Sequence, residues 1–332
     1  MSVVLEREAE APSEAASPPG GGGPRRRIGW PRGRGRRPAA RRAAPRPRTA
    51  RPPQPSEEAG ALLSSALTML ALVCLWAAVQ MLLLGGLSQQ RAQDLLHAEF
   101  RTQLAGATAP VGPVVPPGDP VAFVTIPTIG LEQVVVEGTA SGDLLAGPGH
   151  RRDTVLPGQA GASVVYGRAA TYGGPFARLG ELRPGDVVTV VMAQGELDLT
   201  VEGVRRAGDP LPQPLDQGAA RLTLVTAGGE GRFAALRPNE TLYVDAVADE
   251  GFPAPAGRAI AVPESEQAMA ADTTALPLLV LCLALLVALT LGVVAARQRH
   301  PAALVWVVAC PLALALSWAT TDVVMRLLPN LL

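Results

Sequence analysis

The chain contains no lysine: all 29 basic residues among its 332 are arginine. That absence excludes a Schiff-base lysine and any Ser-Lys dyad within the chain. Cysteine is almost as scarce. Cys74, Cys282 and Cys310 all lie inside long apolar runs, which argues against a disulfide framework and against a cysteine-based zinc site. The three histidines, His97, His150 and His300, are scattered, so no histidine cluster supports a metal centre, and neither metal nor cofactor is expected. The formal net charge is zero, but the arginines are unevenly placed. Residues 1–60 hold 13 of them, concentrated between Arg25 and Arg51.

Three uncharged apolar stretches dominate the layout: residues 61–87, 274–296 and 302–321. About 20 apolar residues match the hydrocarbon core of a bilayer, and core helices of soluble proteins are rarely apolar all round for so long. The first stretch follows 60 residues, too many for an ordinary signal-peptide n-region, and Leu84-Gly85-Gly86-Leu87-Ser88 offers no clear Ala-x-Ala site; it reads as an uncleaved anchor. The arginine-rich region 1–60 and the basic turn 297–301 should both be cytoplasmic. One topology satisfies both. It places the protein in the plasma membrane with the N-terminus inside, residues 88–273 outside, and a short extracytoplasmic segment at 322–332.

Residues 1–60 are rich in Pro, Gly, Ala and Arg with few large apolar residues, so they cannot bury enough surface to offset ordering entropy and should be disordered. Arg32-Gly33-Arg34-Gly35-Arg36-Arg37 has the charge to touch RNA, but no nucleic-acid-binding fold accompanies it. A topology signal that also contacts anionic lipid is the simpler reading, and no nucleic-acid partner is expected. Within 88–120, residues 88–106 read as a helical stalk, followed by a linker with five prolines in 107–120. From Val121 to Ala248 the chain reads as strands: 121–126, 134–136, 163–166, 187–191, 197–204, 221–226 and 241–247, with Gly/Pro turns between them. The run Leu197-Asp198-Leu199-Thr200-Val201 alternates as a strand with one wet face should. The expected class is all-β, a barrel or sandwich, followed by a second linker at 249–273.

Several segments of this region, in order, resemble sortases, the cysteine transpeptidases that join secreted proteins to Gram-positive cell walls. Ile126-Pro127-Thr128-Ile129-Gly130-Leu131 is similar to the opening strand, and Val136-Glu137-Gly138-Thr139 to the next segment. Gly147-Pro148-Gly149-His150 with Leu156-Pro157-Gly158 resembles the approach to the catalytic histidine in actinobacterial and class E-like sortases. Residues 167–176 (Gly-Arg-Ala-Ala-Thr-Tyr-Gly-Gly-Pro-Phe) resemble the block that holds that histidine, and Leu182-Arg183-Pro184-Gly185-Asp186 the turn beyond it. Thr223-Leu224-Val225-Thr226-Ala227 is similar to Thr-Leu-x-Thr-Cys, the nucleophile motif. The resemblance covers about 121–248 and implies an eight-stranded β-barrel ectodomain, here carried by three transmembrane helices, in an actinobacterial cell envelope.

The departures fall on all three functional positions. The nucleophile position is Ala227, whose methyl cannot attack a carbonyl. The histidine position is Arg168, a guanidinium that cannot serve as an acid or base near neutral pH. The family's arginine falls on Glu240 or Thr241, neither a cation, and an anion there opposes oxyanion stabilisation. The resemblance therefore implies a pseudo-sortase with no catalytic residues of its own. Arg168, Tyr172, Thr226 and His150 remain as groove candidates. Arg168 has two readings, a fork for an anion or an ion pair to Glu240. Thr226 has no evident base, and Asp143, Asp153, Asp186 and Asp209 read as turn residues. The implied partner is a cell-envelope protein, a sorting-signal-like peptide or an active sortase, bound as scaffold or regulator. Two alternatives stand beside it: a cysteine-independent transpeptidase or hydrolase, and a membrane assembly subunit with a passive barrel.

Overall fold

The computed structural model describes residues 71, 74–112, 114–228, 240–257 and 261–332. The expected disordered tail 1–60, and residues 61–70 of the first expected span, lie outside the described residues.

Alternation in the sequence translates directly into barrel walls. In Gly195–Arg206, Leu199 and Val201 are buried while Asp198, Thr200 and Glu202 face water. Eight strands form: β1 (Pro120–Ile126), β2 (Leu131–Glu137), β3 (Gly149–His150), β4 (Gly161–Tyr166), β5 (Val187–Met192), β6 (Gly195–Arg206), β7 (Ala220–Gly228) and β8 (Glu240–Ala248). They close in the order β1-β2-β3-β4-β7-β8-β6-β5, with β5 returning to β1. Closure removes the unpaired edges that an open sheet would expose. Seven strands coincide with the apolar, β-rich runs of the sequence. The eighth, β3, is two residues long and has no periodicity to read.

β4 pairs with β7 in parallel, and β7 with β8 antiparallel, so β7 is held on both sides and its interior residues read as a continuous buried run. Val121, Val124, Ile126, Val188, Val190, Leu199, Leu222, Leu224, Val244 and Ala246 fill the barrel, each almost fully buried. Each buried Val, Leu or Ile side chain contributes about 1.5–3 kcal/mol of transfer free energy. The turn between the short helix at Leu179–Glu181 and β5 shows how local chemistry sets strand spacing. Gly185 sits at φ +98, which suits a residue without Cβ, and Asp186 Oδ2 accepts the Arg183 N–H at 2.7 Å.

Residues 74–79 are helical, followed by a π-helical turn at Gln80–Leu84 and helix α1 (Gly85–Ala105). The sequence suggested a free stalk here; instead α1 lies against the barrel. Gln93 Oε1 accepts the Val134 N–H at 2.7 Å, and its Nε2 donates to Val134 O and Ala146 O. Gln89 donates to Gln133, Phe100 is buried, and the His97 and Phe123 rings lie 5.2 Å apart. A glutamine amide offers both a donor and an acceptor, so a polar helical face can bind a strand backbone as well as face water. The expected linker is partly in the core too, since Val115 is buried there.

Helices α2 (Leu276–Arg297) and α3 (Ala302–Arg326) form a hairpin. Two helical stretches are long and apolar enough to cross a membrane, Thr273–Ala296 and Ala303–Arg326, of 24 residues each. At 1.5 Å per residue each is about 36 Å long, against about 30 Å of hydrocarbon. Their outward side chains, Leu281, Leu291 and Val307 among them, are bare apolar surface. Among the described residues there are two such helices, not three; the expected first span contributes the helical residues 71 and 74–87. The last helix also runs to Arg326 rather than ending at Thr321, because Asp322 meets a partner on the barrel, and residues 327–332 fold back onto the barrel.

Candidate functional site

β7 ends in Thr226, Ala227 and Gly228, and the register with β8 places Thr241 opposite Ala227 and Glu240 opposite Gly228. Ala227 is buried, and one side of it borders a cavity of about 180 Å³ lined by Ala169, Phe176, Thr226, Ala227, Glu240 and Arg206. The hydroxyl of the adjacent Thr226 donates to Gly167 O at 2.8 Å and is buried. It spans the β7–β4 junction and is not poised as a nucleophile. The pair that frames the cavity mouth is Arg206 Nε to Glu240 Oε1 at 3.1 Å. Arg206 was not singled out by the sequence. It reaches the site through the β6–β8 pairing, in which Arg206 lies opposite Leu242, and no local motif marks that.

Arg168 follows β4 and is completely buried. Its Nη2 donates to Ser141 O at 2.9 Å and Ser141 Oγ at 2.8 Å; its Nη1 donates to Thr171 Oγ1 at 3.0 Å and Leu332 O at 3.3 Å. Its Nε has no partner. Burial pushes the guanidinium down to about 10, which leaves it a cation at neutral pH. The ion pair from Arg168 to Glu240 does not form: Arg168 points away from the cavity towards Ser141, and Glu240 is taken by Arg206. Among the described residues no carboxylate pairs with Arg168. A buried charge without a counter-ion is costly unless its donors are satisfied, and here main-chain and hydroxyl oxygens do most of that.

Tyr172 is buried with φ +50, an outlier for a bulky residue. Its N–H donates to Met81 O at 3.3 Å, its ring stacks 5.8 Å from the Arg168 guanidinium, and its hydroxyl donates to Asp322 Oδ1. Burial, then the Asp322 contact, raises its phenol above the ordinary range. Tyr172 thus joins the barrel both to the helical segment around Met81 and to α3, which meet each other through Trp76 and Thr321. Phe176 packs into the barrel core.

His150 is placed elsewhere. It is buried on β3, opposite Glu137 of β2, with Nδ1 2.8 Å from Glu137 Oε2 and Nε2 2.8 Å from Val155 O and 3.0 Å from Thr154 Oγ1. Both ring nitrogens are engaged, so neither is free to accept a substrate proton, and the residue lines a separate, narrow crevice with Thr154 and Gln159. Of the four groove candidates, the structure brings Thr226 to the cavity beside Ala227, places Arg168 and Tyr172 on its buried side, and sets His150 apart. Asp186 and Asp209 accept main-chain N–H groups of Arg183 and Arg206 as turn residues. Among the described residues no three His, Cys, Asp or Glu side chains converge as metal ligands.

The buried side of Ala227 is filled by the chain itself. Leu331 is fully buried in a cluster with Leu144, Tyr166, Ala169, Val225 and Ala227. Its carbonyl accepts the Ala169 N–H at 3.0 Å, and Leu332 O accepts the Thr171 hydroxyl at 2.5 Å. These partners are separated from Arg168 by more than 160 residues of sequence, so no local pattern announces them.

Residues 124–239 match the family model of the sortase domain. The chain is 37% identical over 79 residues to Sortase D of Bacillus subtilis (strain 168), which covers 24% of this chain and 38% of that protein. The match thus spans well under two thirds of the relative. Among solved structures, a Clostridium perfringens Sortase D5 transpeptidase is 19% identical, covering 47% of this chain and 97% of the other at a TM-score of 0.39. A sortase E variant from Streptomyces avermitilis is 30% identical, covering 46% of this chain and all of the other at a TM-score of 0.34.

Proposed function

We propose that this is a membrane-anchored, catalytically inactive sortase-like protein that binds a cell-envelope protein or an extended, sorting-signal-like peptide as scaffold or regulator. One observation carries the reading. At the end of β7, where the resemblance sets a nucleophile, stands the buried methyl of Ala227, and the hydroxyl of its neighbour Thr226 is committed to Gly167 O. Covalent catalysis needs a nucleophile with an adjacent base. Arg168 stays charged at neutral pH and takes no proton. Thr241, opposite Ala227, carries no charge for an oxyanion, and Glu240 carries the wrong one.

The orientation we propose has the arginine-rich region 1–60 and the turn 297–301 in the cytoplasm and the barrel outside. The hairpin geometry supports it: Asp322 bonds to Tyr172 of the barrel and the Asp272 N–H bonds to Arg326 O at the same end of the hairpin, so the turn between α2 and α3 is at the far end. A second reading draws on the same contacts. Because the end of α3 and the residues after it dock on the loop beyond β2, through Ser141 to Met325 O and Leu328 O and Asn330 to Thr139 O, the spans themselves can be the working part, with the barrel as a passive ectodomain.

The test is a paired transpeptidation assay on the full-length protein in nanodiscs, native and with Ala227→Cys, Arg168→His and either Glu240→Arg or Thr241→Arg, using a sorting-signal peptide. Product from the restored protein alone is the expected result. Product from the native protein would overturn the inactive reading, and silence from both would favour the spans. Replacing α2 and α3 by a generic anchor then separates the two: a scaffold keeps its partner, an assembly subunit loses it.

A further inference from the structure

The segment after α3 behaves chemically as a bound peptide. Leu331 buries its side chain against Leu144, Tyr166, Ala169, Val225 and Ala227. Its carbonyl takes the Ala169 N–H, and Leu332 O takes Thr171 Oγ1 and Arg168 Nη1. Asn330 donates from its main chain to Ala270 O at 2.9 Å and from its side chain to Thr139 O and Gln267 O, both at 2.8 Å. This is peptide recognition by main-chain pairing with one side-chain pocket.

We propose that residues 327–332 are a tethered, displaceable occupant of a groove on the buried side of Ala227, distinct from the cavity that Thr226 and Glu240 line, and that this groove accepts an extended peptide with one branched aliphatic side chain, followed by a carbonyl or carboxylate oxygen, only when this segment leaves. The inference rests on the reading of the barrel as a peptide-binding module. Two observations separate the segment from the fold. First, the barrel closes without it: all eight strands pair among themselves, and Leu331 belongs to an apolar cluster distinct from the one that fills the barrel. Second, its seat leaves hydrogen-bonding capacity unused. Arg168 Nε and Asn330 Oδ1 are both buried without partners, and Met269, next to the Ala270 carbonyl that receives Asn330, has φ +61, a strained conformation for a side chain of that size. A peptide that offered Arg168 a second oxygen would meet the donor this segment leaves unmet. The ligand oxygen belongs beside Arg168 because an Arg fork suits planar oxygen pairs.

The probe is an acetylated, fluorescein-labelled hexapeptide with the sequence of residues 327–332, beside a control in which its fifth residue is serine. It is titrated onto full-length protein in nanodiscs, native and Leu331→Ser, with Asn330→Ala as a second variant. An occupied site weakens apparent affinity by the fraction of open protein. The expected result is therefore binding about tenfold or more tighter in both variants than in the native protein, and loss of binding for the control peptide. Hydrogen exchange is read on the same samples. The Ala169 and Asn330 amides should be protected in the native protein and open in Leu331→Ser, while Leu222 and Val244 in the barrel stay protected. Equal affinity across native and variants would overturn the proposal. So would free exchange at Ala169 in the native protein, or barrel amides that open together with it, since the segment would then be absent from the groove or integral to the fold. A hexapeptide that binds as expected, alongside a silent restored transpeptidase, would retain this inference and sink the reading of a sorting-signal ligand.

Discussion

Arg168 and His150 are both buried side chains able to carry positive charge, in one barrel, and their surroundings are opposite. His150 has a carboxylate, Glu137, directly across β2–β3, and its other ring nitrogen faces the Val155 carbonyl. Arg168 has no carboxylate among the described residues. It spends its donors on a serine, a threonine and the main-chain oxygen of Leu332, and leaves Nε unmet. The first arrangement is a closed fastening between neighbouring strands. The second is a socket completed by a segment from the far end of the chain. The histidine of this domain is held within the pairing of the barrel strands, while Arg168 is held in part by Leu332, far along the chain.

The largest effect should come from breaking the closed fastening. Glu137→Ala leaves His150 buried without its partner, and losing one member of a buried pair costs roughly 3–5 kcal/mol; chemical denaturation of the full-length protein should show it as a fall in midpoint. A cost below about 1 kcal/mol would erase the contrast with Arg168. The next largest lies on the socket side. Tyr172→Phe removes the hydroxyl that donates to Asp322, a charge-assisted bond of roughly 1.5–3 kcal/mol. A double-mutant cycle with Asp322→Asn should recover most of that as coupling, and independent, additive losses would show that the barrel and α3 are not joined there.

A third prediction has the opposite sign. Asp143, in the loop that carries Ser141, has its carboxyl raised from 3.8 to about 6, first by burial and then by Glu266. A carboxyl whose folded pKa lies above its unfolded value makes the folded state bind more protons. Stability from this group is therefore greatest below about 4 and declines as pH rises from about 4 to 6, with no further loss above that window. Asp143→Asn should leave Tm nearly unchanged at pH 4 and raise it at pH 7.5, by a gain on the order of 2 kcal/mol after discounting for partial solvent screening. Destabilisation at pH 7.5 would contradict the burial argument. The smallest effect belongs to Thr226→Val. It removes one buried hydrogen bond to Gly167 O at a cost of about 1 kcal/mol, and peptide binding by the Leu331→Ser background should be unchanged. Transpeptidation by the native protein that this substitution abolished would instead expose Thr226 as a nucleophile.

The sequence was most legible where structure is local. Period-two alternation in 197–204 and the β-branched runs at 121–126 and 187–191 gave strands at the right places, because one wet and one buried face leave a signature in neighbouring residues. Ala227 and Arg168 were singled out by the resemblance of 223–227 and 167–176, and their roles stand only as proposed above. Legibility ended where long-range pairing decides. β3 is too short to carry a pattern. Residues 88–106 read as a stalk, but Gln89 and Gln93 bind β2, since a glutamine suits either environment. Whether Glu240 or Thr241 faces Ala227 depends on the β7–β8 register, and Arg206 enters through β6–β8 pairing. Leu331 and Leu332 resemble any apolar residues at a helix end; only the return of the chain from α3 brings them to Arg168.

The most direct measurement is a methyl NOE experiment on the full-length protein in nanodiscs, with leucine, valine and alanine methyls labelled and Leu331 assigned by Leu331→Ser. The account predicts cross-peaks from the Leu331 methyls to those of Leu144, Ala169, Val225 or Ala227, which share its cluster. Leu331 methyls that contact only water or lipid would contradict it, and would show the groove beside Ala227 to be open.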